Sequence, residues 1–131
     1  MNAILKNQRL TLLWALFILI ICNINLGSVG ESHLFFPGFD KLVHCGLFFV
    51  FVIFCTNGVI RQQENRRLSY AAAFFILILA LAFGGLIEIL QLTVFTWRDG
   101  NWPDMFADTI GACMAIFSVL IINDATAHVK K

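Results

Sequence analysis

The chain has 131 residues, of which 60% are apolar and only 13% charged, and its formal net charge is +1. A soluble domain carries about a quarter charged residues, and one small core cannot bury so large an apolar excess, so the natural solvent is the bilayer. The near-neutral balance gives no basic field for nucleic acid, no motif calls for a cofactor, and the partners to expect are membrane lipids.

Four apolar runs follow in chain order, at 10–26, 42–60, 70–92 and 105–122. Each is long enough to cross a hydrocarbon core of roughly 30 Å as a helix, with tilt or local thinning for the shortest. Helices are expected because backbone in lipid must satisfy its own hydrogen bonds. The fold class is therefore all-α, a single transmembrane domain over 1–131 with four spanning helices. The first run also has a signal-peptide reading, with Lys6 and Arg9 before it and Gly27-Ser28 after it. Its length, Trp14, Phe17 and the Asn23-Ile24-Asn25 ending favour a retained helix. Cys22, Cys45, Cys55 and Cys113 all fall inside apolar runs and form no C-x-x-C pair, so they read as small hydrophobes.

Basic residues near helix ends set orientation. Lys6, Arg9, Arg61, Arg66, Arg67, Lys130 and Lys131 flank one side, and only Lys41 and Arg98 the other. The first side is then cytoplasmic. Both termini lie inside, with the connections at 27–41 and 93–103 outside.

The outer ends of three helices carry ionisable residues, which are costly in a membrane interior and call for a reason. The second helix opens Phe39-Asp40-Lys41-Leu42-Val43-His44. Asp40 and Lys41 have adequate explanations as first-turn residues, one capping and one snorkelling. His44 lies a turn deeper. The third helix closes Gly84-Gly85-Leu86-Ile87-Glu88-Ile89-Leu90-Gln91, with Glu88 and Gln91 on one face. The glycine pair reads as a site of close helix contact. In the next connection Trp97 and Trp102 suit an interfacial aromatic belt. Arg98 between them is the natural partner for Glu88 or for an anionic headgroup. In the fourth helix Asp104 can cap, whereas Asp108 is a turn too deep for that. Ala107, Gly111 and Ala115 form a small-residue stripe beside it.

These residues resemble the VanZ-like family of small bacterial membrane proteins. The likeness rests on Asp40-Lys41-x-x-His44, then Glu88-x-x-Gln91, then Arg98, Asp104 and Gly111-Ala112, and it covers about 37–115. One position departs: Asp108 stands where the family usually has Asn. The resemblance implies a protein of the bacterial cytoplasmic (inner) membrane and cell envelope, and a link to resistance against the glycopeptide teicoplanin. It does not imply a reaction.

Three functions remain open on the residues. The first is a site that binds or modifies an envelope lipid or amphiphile at the outer leaflet. In it His44, Glu88 and Asp108 carry the chemistry, and Asp40, Lys41, Gln91, Arg98 and Asp104 hold the ligand. No Ser or Cys nucleophile stands beside a base in sequence: Cys45 follows His44 directly, but adjacent helical residues point apart. The second is metal-assisted hydrolysis through His44, Glu88, Asp104 and Asp108, although a ligand motif such as H-E-x-x-H is absent. The third is structural, with the polar groups fixing helix packing and a partner carrying the function. Ion transport is least supported, since the acidic residues gather near one face.

Overall fold

The computed structural model describes residues 3–24, 36–63, 67–97, 100 and 102–129. All regular structure among them is helical: α1 (Ala3–Asn7), α2 (Arg9–Asn23), α3 (Phe39–Ile60), α4 (Tyr70–Thr93) and α5 (Trp102–Val129). Three helices are long and apolar enough to cross a membrane, over Phe39–Ile60, Tyr70–Thr93 and Trp102–Thr126. By length and composition the chain is a multi-pass membrane protein. The apolar α2, with 15 residues, is shorter, about 22 Å at 1.5 Å per residue.

The ends of the helices follow local chemistry more than hydropathy. Gly38 adopts φ 86°, a left-handed conformation that glycine enters without penalty, and its carbonyl accepts from Lys41 N at 3.1 Å. This turn starts α3 three residues before the apolar run at 42. Ser69 caps α4, its Oγ accepting from Ala72 N at 3.2 Å, which leaves that helix within one residue of the run. α5 begins at Trp102 because Pro103 suits a first turn, and it continues beyond 122 because neither Gly nor Pro follows to stop it. α2 ends earlier than the run at 10–26: Ile24 is already extended, with ψ 139°. Positions 25 and 26 lie outside the described residues.

The contacts give each helix a direction. Gln8 Nε2, from the residue preceding α2, donates to the Cys55 carbonyl at 3.3 Å, and Trp14 Nε1 of α2 to the Leu47 carbonyl at 2.9 Å. Later residues of α2 thus meet earlier residues of α3, and the two run antiparallel. α4 is antiparallel to α3 as well. α5 is parallel to α3, and this pair forms the most extensive interface. The centre holds Phe48 and Phe51 of α3 against Phe83 of α4, with ring centroids 5.3–6.1 Å apart. Ile18, Val52, Ala80, Ile87, Ala112 and Ala115 complete it. The opposite surface is apolar too: Phe74, Phe75, Phe106 and Phe117 are all more than half exposed. A water-soluble monomer seldom exposes so many large apolar side chains.

Candidate polar site at one end of the bundle

The site depends on how closely α3 and α5 approach. Ala107, Gly111, Ala112 and Ala115 are all buried. A Cβ on Gly111 would collide with the Cys45 carbonyl of α3. Small residues let two helix backbones come this near. The parallel direction then lines up successive turns of the two helices, bringing Lys41 to Asp104 and His44 to Asp108.

His44 Nδ1 and Asp108 Oδ1 are 2.9 Å apart, with side chains 3% and 2% exposed. As a neutral ring, His44 donates through Nδ1–H to the carboxylate, which fixes its tautomer. The second oxygen, Asp108 Oδ2, is buried with no hydrogen-bond partner. It faces α4 at Gly84, where a Cβ would lie 2.9 Å from it and 3.5 Å from the Phe48 ring. The glycine pair therefore divides: Gly84 makes the close contact, whereas Gly85 has nothing within 4 Å. One helical residue turns the chain by about 100°, enough to separate their roles.

A turn nearer the bundle end, Lys41 Nζ lies 2.9 Å from Asp40 Oδ2 and 3.2 Å from Asp104 Oδ1. Asp104 is buried, and Asp40 and Lys41 are partly exposed. An anionic ligand at Lys41 would have to compete with two carboxylates. On α4, Glu88 is buried one turn beyond Gly84 on the same face. Gly100 folds over it, at a distance where a Cβ would lie 2.9 Å from the Glu88 carbonyl oxygen and 3.3 Å from Oε2.

Gln91 faces α2. Its Nε2 donates to the Cys22 carbonyl at 2.8 Å, and Trp97 Nε1 donates to the Asn23 carbonyl at 3.1 Å. The last carbonyls of a helix have no partner within it, so these two side chains complete the end of α2. Arg98 lies outside the described residues.

Local spacing offers no sign of these two partnerships: Gln91 and Cys22 are 69 positions apart, and Trp97 and Asn23 are 74 apart. No group of three or more His, Cys, Asp and Glu suited to a metal ion occurs among the described residues. The metal-assisted reading thus has no donor set there.

Comparison with protein-family models, with curated proteins and with solved structures gave no match.

Proposed function

We propose that this chain is a VanZ-like protein of the bacterial inner membrane that binds or modifies an envelope lipid or amphiphile at the outer leaflet. The observation that carries this reading is the buried His44–Asp108 pair, 2.9 Å apart. An imidazole held through Nδ1 by a carboxylate keeps its other nitrogen for proton exchange, the arrangement used by general bases. The motif resemblance adds the envelope context and the link to teicoplanin.

The same reading has four spans. α2 runs beside α3 from the level of Gly58, where a Cβ would press on the Gln8 side chain, past Leu47, whose carbonyl accepts from Trp14 Nε1. It covers much of the depth of α3, and α1 precedes it at the other end. An even number of spans puts both termini on one side. Seven of the nine basic residues flank that side, so it is cytoplasmic and the His44 end faces outward.

The test is lipid and cell-wall precursor profiling of a deletion strain, with teicoplanin sensitivity as a second readout. The wild-type gene restores the profile. His44→Asn, accumulating in the membrane at the wild-type level, does not. Full restoration by His44→Asn would sink the proposal.

A second reading, of a structural subunit, is favoured by the bonds from Gln91 and Trp97 to the end of α2. It gains if alanine variants at the polar end fail to accumulate while conservative ones keep every phenotype.

A further inference from the structure

Gln8 makes a corner between α1 and α2. It interrupts the helix between Asn7 and Arg9, and its side chain turns onto α3. Oε1 accepts from Thr11 Oγ1 at 2.6 Å, and Nε2 donates to the Cys55 carbonyl at 3.3 Å. The corner fits because position 58 is glycine, where a Cβ would strike the Gln8 side chain.

The residues around this anchor are cationic. Lys6 and Arg9 flank Gln8, and both are exposed. Arg61, also exposed, follows Gly58 by three residues. That spacing puts it on the same face of α3, about 4.5 Å further along the axis. Arg9 Nε donates to the Lys6 carbonyl at 3.2 Å, which holds the guanidinium against α1 and leaves its two terminal nitrogens for an outside acceptor. No carboxylate pairs with any of the three cations among the described residues. Lys41, at the opposite end of the bundle, is the contrast, since two carboxylates hold it. The segments at the Gln8 end contain seven of the nine basic residues, but only Glu64 and Asp124 of the eight acidic ones.

Just beyond the cations α2 turns apolar side chains outward. Leu10, Leu12, Leu13 and Leu16 are all more than half exposed. In a bilayer this surface meets acyl chains. A partner that satisfies both parts carries an anionic group and a hydrocarbon tail, which a soluble anion lacks.

We propose that the α1–α2 corner, through Lys6, Arg9 and Arg61, binds the phosphate of an anionic phospholipid whose chains lie along α2. Arg9 grips two phosphate oxygens through its fork, and Lys6 and Arg61 add charge. Each cation beside an anionic lipid contributes up to about fivefold in affinity. The corner lies at the far end of the bundle from His44. It depends neither on the proton-exchanging pair nor on which leaflet it meets.

The test uses the full chain in dodecyl maltoside, with equal amounts of phosphatidylglycerol and phosphatidylcholine of identical acyl chains. Native mass spectrometry counts the lipid bound. A preference of at least about tenfold for phosphatidylglycerol is expected in the first lipid bound. The triple variant Lys6→Gln, Arg9→Gln, Arg61→Gln should lose it at an unchanged unfolding midpoint. Each single exchange should cost about twofold or more, and these carry the test if the triple variant is unstable. Lys130→Gln with Lys131→Gln removes two charges from the other chain terminus and should keep the preference. The proposal is overturned if phosphatidylcholine binds as well, or if the preference survives the exchanges at 6, 9 and 61. It is overturned too if the preference falls equally in the double variant, since charge alone would then explain it. Displacement of the lipid by inorganic phosphate at the same concentration would also overturn it, because the site would then take a soluble anion.

Discussion

Gly111 of α5 lies so close to the Cys45 carbonyl of α3 that a Cβ at position 111 would overlap it. Lys41–Asp104 and His44–Asp108 both bridge this seam, toward the same end of the two helices. Gly111→Ala is therefore expected to part the helices and destabilise the protein by about 1–3 kcal/mol, the usual range for overpacking. Gly46→Ala, beside Cys45 but with nothing within 4 Å, is the control. Thermal unfolding in detergent should show a lowered midpoint for the first and an unchanged or raised one for the second.

The neighbouring glycines on α4 give a sharper contrast. Gly84→Ala places a methyl 2.9 Å from Asp108 Oδ2, so the carboxylate must shift against its 2.9 Å contact with His44. Gly85→Ala meets open space and gains helix propensity, worth about 0.5–1 kcal/mol. Opposite shifts in unfolding midpoint are expected. Equal shifts would contradict the placement of Asp108 against α4.

Asp108 can be changed in two ways with different outcomes. Asp108→Asn keeps an amide oxygen that accepts from His44 Nδ1–H, so the protein folds with near-normal stability. Asp108→Ala leaves a buried imidazole nitrogen unpaired, which costs about 1–3 kcal/mol. A double-mutant cycle with His44→Ala measures the coupling directly, and a value near zero would refute the pairing.

Gln91→Leu removes the donor to the Cys22 carbonyl, and Trp97→Phe the donor to the Asn23 carbonyl. Each loss is worth about 1 kcal/mol. Hydrogen exchange should accelerate in the last turn of α2, with α5 unaffected. Uniform acceleration across all helices would mean that the two side chains support the whole bundle.

The four-span reading predicts the behaviour of reporter fusions. Alkaline phosphatase, active only after export, should be silent when fused after residue 131 and active when inserted within 27–41. Activity at the C-terminus would reverse the orientation or change the number of spans.

The long apolar helices were legible because a run of twenty apolar residues has few other solutions. Their ends were less so: α3 starts at a left-handed glycine and α5 outlasts its apolar stretch, and neither event is a matter of hydropathy. The common depth of His44, Glu88 and Asp108 could be read by counting turns. Which helices touch could not, since adjacency depends on rotation about each axis. The stripe of Ala107, Gly111 and Ala115 announced a close approach without naming α3 as the partner. Gln91 looked like a ligand-binding amide, yet it bonds a helix end whose need shows only once α2 is placed.

α3 packs on each of α2, α4 and α5, whereas α2 and α5 do not pack on each other among the described residues. α3 is thus the common strut of the bundle, and α2 reaches the α3–α5 seam only through α3 and α4. The end of α2 is held by Gln91 and Trp97, whereas the seam that carries His44 and Asp108 closes without it. Disturbance at that end of α2 should therefore leave the buried pair in place.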